Sequence, residues 1–180
     1  MVHADETSVR SGKASLWVYC VLHRDADPGA CRTARQDHYR GRLPARAYTG
    51  TIVHDRLAGY FNYGRGHVLC NTHILRSLNE LLANHRHQSW ARAFFNLIVD
   101  TKRHVEVTRA GGHTQLSVWR RRKVRQRWDD LCEQAARAEP PLAPGWKLYG
   151  TDKDARNLAI ALDEHRDLVL AYTTDLSVIG

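Results

Sequence analysis

The chain has 180 residues, 43% of them hydrophobic, enough to bury one sizeable core and most simply read as one globular domain. Its 27 Lys and Arg against 19 Asp and Glu leave a formal charge of +8, a balance that favours a polyanionic partner such as nucleic acid over an acidic small molecule. Four scattered cysteines, no cleavable hydrophobic leader and no apolar run near about eighteen residues argue against a disulfide-stapled secreted protein or a membrane span, and point to a reduced, cytoplasmic one.

From Val2 to Arg10 and from Ser15 to Leu22 the chain supplies Val, Leu, Trp and Tyr in short runs, separated by Ser11-Gly12-Lys13, which predicts a β-hairpin. Gly29 to Arg46 is polar and arginine-rich with Pro44, and reads as either a weak strand or a short helix. "GTIVHD", Gly50 to Asp55, is a short strand by its Thr, Ile and Val, and "GHVLC", Gly66 to Cys70, is another after the turn-like "NYGRG". Past Cys70 the apolar period changes from two to about 3.6, with Ile74, Leu75, Leu78, Leu81 and Leu82 on one helical face. Trp90, Phe94, Leu97 and Ile98 repeat that pattern, and Val124, Trp128, Leu131 and Ala135 repeat it again, predicting two more amphipathic helices.

"EPPLAPG", Glu139 to Gly145, ends the helical run, because its three prolines remove backbone donors and clash with preceding turns. Beyond it Thr151 with Asp154 approximates a capping box, and Leu158, Leu162, Val169 and Tyr172 give a final helix its buried stripe. The expected organisation is strand-rich over 1–70, helical over 71–138, a proline-rich loop over 139–150 and a C-terminal helix over 151–176: an α/β (α+β) chain.

Two acidic residues interrupt apolar strands. "VHAD" places Asp5 in the first strand and "TIVHD" places Asp55 at the end of a later one. A carboxylate so placed costs desolvation unless it caps a turn, pairs with a base or binds a cation. Glu6 is not the partner of Asp5, since adjacent strand residues face opposite ways. Neighbouring strands of one sheet could bring the two aspartates together, and a hard divalent ion such as Mg2+ would then keep both ionised. Cys70 and His73, in "VLCNTHILR", are spaced like half of a zinc site. However, Cys20, Cys31 and Cys132 are each isolated and no C-x2-C pair occurs, so the spacing does not support a closed structural zinc site.

The ordered set "HADETSV", "GTIVHDRLAGYFNY", "HVLCNTHILRSLNEL", "QSWARAFFNLI" and "KDARNLAIALDEHRDLVLAYTTDLSV" resembles the transposases of the insertion sequence sixty-six family over most of the chain. The resemblance implies a DDE-type recombinase on an RNase H-like core, a mixed sheet with a helical insertion after the fourth or fifth strand. In that family three carboxylates hold two Mg2+ ions for DNA strand cleavage and transfer at transposon ends and into target DNA. By position, Asp5 matches the first carboxylate and Asp55 the second, both as metal ligands. Cys70 and His73 match a C-x2-H signature beside the active centre; read without the resemblance, Cys70 is a small buried hydrophobe and His73 a first-turn residue bonded to nearby backbone.

The chain also departs from the pattern. Ser77 stands where the family usually has Glu, and the third carboxylate, in an Asn-Asn-x-Ala-Glu-Arg segment, has no counterpart before Gly180. Asp152, Asp154, Asp163, Glu164 and Asp175 lie in no matching motif. The expectation is a catalytic domain truncated at both ends, with little or no strand transfer by itself. "WRRRKVRQRW" sets Arg120, Arg121, Arg122, Lys123, Arg125 and Arg127 on one helix, either tracking DNA phosphates or forming a solvated face. Homo-oligomers on DNA are what the resemblance suggests. A non-catalytic nucleic-acid-binding remnant and a helical interaction module are the alternatives.

Overall fold

The computed structural model describes residues 1–11, 14–23, 31–35, 49–84, 88–143, 145 and 147–178, and describes the backbone alone at 2, 5–11, 14–23, 31–35 and 151. The chain divides into two compact units, Met1–Cys70 and Asn71–Gly180.

The first unit is a five-stranded mixed sheet of β1 (Val2–Ser11), β2 (Ala14–His23), β3 (Cys31–Arg35), β4 (Thr51–His54) and β5 (Gly66–Leu69), in the order β3-β2-β1-β4-β5. The expected hairpin forms: β1 and β2 are antiparallel in unbroken register from Val2 opposite His23 to Ser11 opposite Ala14. Its turn residues Gly12 and Lys13 lie outside the described residues. β3 takes Cys31–Arg35 of the ambiguous arginine-rich segment and pairs antiparallel with β2, and residues 36–48 lie outside the described residues.

On the other side of β1, β4 pairs in parallel, and β5 pairs in parallel with β4. Parallel neighbours need a crossover rather than a tight turn. Between β4 and β5 that crossover is a single 3-10 turn, Ala58–Asn62, followed by Gly64. Gly64 has φ 73°, and a Cβ there would lie 2.9 Å from the Gly50 carbonyl oxygen and 3.0 Å from the Ile52 side chain, so this turn requires glycine. Flanked by strands on both sides, β4 buries Ile52, Val53 and His54 almost completely, which explains why its sequence is a continuous run and not an alternation.

The second unit is helical: α1 (Asn71–Asn84), α2 (Ser89–Ala110), α3 (Val118–Ala138), α4 (Gly150–Glu164) and the short α5 (Arg166–Val169), which runs into a 3-10 turn, Leu170–Thr173. The predicted stripes are the buried faces: Ile74, Leu78, Leu81 and Leu82 on α1, Trp90, Phe94 and Ile98 on α2, and Val124, Trp128, Leu131 and Ala135 on α3. Leu75 and Leu97, assigned to the same faces by period, sit half-buried at their margins. Trp128 is the keystone of this core. It is fully buried, packs edge-on against Phe94 at 4.8 Å between ring centroids, and donates its indole N–H to the Leu162 carbonyl at 3.0 Å.

Two expectations near the C-terminus are corrected. Thr151 lies inside α4, whose N-cap is the extended Tyr149 without a side-chain cap hydrogen bond, so no capping box forms. The single final helix is broken at His165 (φ −108°, ψ 18°), because the chain there turns to lay Arg166 and Asp167 against α3. Arg166 donates to Asp129 at 2.5 Å and Arg125 donates to Asp167 at 2.6 Å, while Val169 and Tyr172 remain buried after the break. No helix among the described residues is long and apolar enough to cross a membrane.

Trp128→Phe keeps an aromatic ring but leaves the Leu162 carbonyl without its donor, a loss of about 1–3 kcal/mol for a buried group. Urea unfolding followed by circular dichroism is expected to show a lower midpoint with an unchanged slope; an unaltered midpoint would contradict the role given to this bond.

Candidate functional site

The parallel register of β1 and β4 sets Val2 beside Ile52 and His3 beside Val53. Two residues beyond the last pair on each chain stand Asp5 and Asp55. On its other edge Asp5 is level with Cys20 of β2. The backbone of Asp5 is described and its side chain is not. Asp55 follows directly on β4, half-buried, and its Oδ1 accepts the Leu57 N–H at 2.8 Å, the self-turn an aspartate commonly makes at a strand end. Burial holds the neighbouring Arg56 guanidinium below its ordinary value, with the Asp55 charge opposing that shift.

Behind Asp55 lies a histidine pair that the sequence reading missed. His54 is completely buried and packs against Tyr60 at 5.3 Å and Phe61 at 4.8 Å between ring centroids. Its Nδ1–H donates to the Asp55 carbonyl, and its Nε2 lies 3.2 Å from Nδ1 of His67 on β5. With Nδ1 committed as a donor, neutral His54 offers Nε2 only as an acceptor, which assigns His67 as the Nδ1–H donor. A proton added to His54 would set two N–H groups face to face. The signal was available, since "TIVH" and "GHVL" each carry one histidine in adjacent predicted strands, but it needed the β4–β5 register, Ile52 opposite His67, to become a pair.

Cys70 closes the first unit, donating its N–H to the His54 carbonyl at 2.8 Å, and His73 occupies the first turn of α1. Both are half-buried. Among the described residues no group of three or more His, Cys, Asp or Glu is placed to hold a metal ion. Cys132, on α3, has its thiol pushed up to about 12 by burial and by the nearby Asp163 and Asp129 carboxylates, which makes it an inert thiol at neutral pH.

The basic helix is α3, and its residues do not form one uniform face. Ser117 caps it, accepting the Arg120 N–H at 3.3 Å. That cap was legible as a serine just before the helical run and was overlooked. Of the two tryptophans bracketing the basic run, Trp128 is core and Trp119 is 62% exposed, with the Lys123 ammonium 4.4 Å from its ring centroid. Arg122 and Arg127 are exposed, Arg120 and Arg121 half-buried, and Arg125 is committed to Asp167.

Burial lowers the His67 pKa below its ordinary value. The unfolded chain therefore takes up this proton first, so the stability contributed by the neutral ring is complete above about pH 6.5 and is lost as the pH falls through the folded value. The urea midpoint is expected to drop between about pH 7.5 and pH 5.5, and His67→Gln to flatten part of that drop. An identical pH profile for the variant would contradict the assignment.

A sequence model of the family described as Transposase IS66 family matches residues 1–178. No curated protein and no solved structure gave a significant match. Membership connects the chain with transposition and makes DNA its general partner. By a match that spans all but the last two of its residues, this chain belongs to the IS66 family of transposases.

Proposed function

We propose that this chain carries the first two carboxylates of a DDE-type transposase active centre, Asp5 and Asp55, on an RNase H-like mixed sheet with its helical insertion after β5. The register of β1 with β4 carries the reading. The last observed pair is His3 with Val53; were the pairing continued by two residues, Asp5 would come level with Asp55. Adjacent strands run about 4.8 Å apart, so residues at one level of β1 and β4 are close enough to serve one cation.

Mg2+ takes oxygen ligands, and a carboxylate pair whose second member is held in orientation by a backbone amide fits that preference. When bound, it would supply charge stabilisation to the attacking and leaving oxygens of an in-line displacement at a DNA phosphate. The protein's own residues do the positioning. The Leu57 amide holds Oδ1 of Asp55, which leaves Oδ2 to meet a cation. Arg56 lies beside it as a fixed positive charge, and His54 donates through Nδ1 to the Asp55 carbonyl. Cys70 is tied to the same strand end through the His54 carbonyl, and on this reading it supports the site without ligating the metal.

DNA contact is assigned to α3 through Arg120, Arg121, Arg122, Lys123 and Arg127, with Arg125 shared with Asp167. Cleavage would deliver an activated water to phosphorus, and transfer a liberated 3′-hydroxyl. No Asn-Asn-x-Ala-Glu-Arg segment occurs in the 180 residues. Asp5 and Asp55 are therefore the two carboxylates on which this reading of the 180 residues rests.

Mn2+ in place of Mg2+, read by electron paramagnetic resonance in the presence of duplex DNA, tests the site. Asp5→Asn and Asp55→Asn are each expected to weaken binding about tenfold or more, and the double variant to bind more weakly than either, with a combined loss that departs from the sum of the two single losses, as for two ligands of one ion. Unchanged Mn2+ binding in both single variants would overturn the proposal.

A further inference from the structure

The turn between α2 and α3 encloses a cleft of about 480 Å3, within the usual size range of ligand sites. His104 and Thr108 reach it from the last turns of α2, His113 from the connection, and Ser117, Arg120 and Arg121 from the start of α3. Every ionisable side chain lining it is basic; no carboxylate does so. Its floor is held by backbone bonds from both sides: the His113 N–H donates to the Thr108 carbonyl at 3.2 Å, the Leu116 N–H to Thr173 at 3.0 Å, and the Leu176 N–H to Thr114 at 2.9 Å.

Two further features point to an anion. Arg121, which lines the cleft, buries its Nε without a hydrogen-bond partner among the described residues, a costly state for a guanidinium. The cleft also receives the N-terminus of a 21-residue helix. Ser117 satisfies the Arg120 amide there, and the Arg121 amide makes the first intrahelical bond to the Ser117 carbonyl at 3.0 Å, which leaves the first-turn amides of Val118 and Trp119 without an acceptor inside the helix. A second groove of about 450 Å3 shares Val118 and Arg121 with the first and adds Arg122 and Arg125. Its one carboxylate, Asp167, is already occupied by Arg125. Arg121 therefore stands between two basic grooves, an arrangement suited to consecutive phosphates of a strand and not to a single small anion.

We infer that the α2–α3 cleft is a seat for a DNA backbone phosphate, formed by Arg120, Arg121, His104, His113 and the α3 N-terminus, with the neighbouring groove taking the next phosphate. This rests on DNA being the partner, as proposed above, and adds the place where the backbone is gripped. Because a backbone phosphate carries no sequence information, the seat fixes register and contributes salt-dependent affinity without base specificity.

The test is fluorescence anisotropy of a labelled mixed-sequence duplex with the 180-residue chain over a series of KCl concentrations. Arg120→Gln and Arg121→Gln are each expected to flatten the slope of log K against log salt by about 1, while Arg137→Gln, at the far end of the same helix, leaves it unchanged. Thr108→Glu adds a carboxylate to the wall without removing a cation and is expected to weaken binding about tenfold; circular dichroism checks that each variant is folded. A wild-type chain that binds DNA with a slope insensitive to Arg120, Arg121 and Thr108 changes would overturn the seat and leave DNA binding standing. A wild-type chain without salt-dependent DNA binding would overturn both. Inorganic phosphate displacing the duplex far better than chloride at matched ionic strength would reassign the cleft to a free phosphoryl ligand and overturn the DNA assignment.

Discussion

Because β1 hydrogen-bonds antiparallel to β2 on one edge and parallel to β4 on the other, Val2 and His3 at its start have their level fixed twice. The hairpin register alone would let β1 meet any later strand at any offset. The parallel pairing of Val2 with Ile52 and His3 with Val53 removes that freedom, and a slip by one residue would exchange the packing partners of the buried Ile52, Val53 and His54. Everything proposed for the carboxylates follows from that pairing. The proposed meeting of Asp5 and Asp55, far apart in the chain, depends on their two strands running in the same direction.

In the helical unit the corresponding constraint is the seating of α3. Trp128 fixes its middle through Phe94 and the Leu162 carbonyl, and the Arg166–Asp129 and Arg125–Asp167 pairs tie it to the segment beyond α4. Both ion pairs are part-exposed, so their contribution is orientation more than stability. With its middle and one flank committed in this way, α3 divides its basic residues by job. Arg125 is spent on structure, while Arg120 and Arg121 converge at the N-terminal end, where helix polarity and the capped first turn add to their charge.

Much of this was legible in the sequence because strong local patterns agreed with the tertiary fold. The hairpin, the buried strand "TIVH", and the stripes Ile74 to Leu82 and Val124 to Ala135 are all where periodicity places them. The failures have physical causes. The break at His165 could not be read from a stripe that continues through it, since Val169 and Tyr172 stay buried on either reading, and the ion pairs that turn the chain join residues some forty positions apart. The capping box failed because a threonine and an aspartate at the right spacing do not decide where a helix begins; the chain enters α4 from an extended Tyr149. The His54–His67 pair was invisible for the same reason that a single histidine in each strand is unremarkable. The basic helix was visible as composition, but its division into structural and available arginines depends on where Asp167 lies.

The convergence of Asp5 and Asp55 is tested most directly by replacing Mg2+ with Fe2+ and mapping oxidative cleavage of the backbone by mass spectrometry, since a bound iron cuts the chain nearest to it. Cuts clustered at both residues 5 and 55, and lost together in either asparagine variant, are the expected result. Cuts near only one of the two aspartates, or cuts that survive the loss of either, would contradict a shared site.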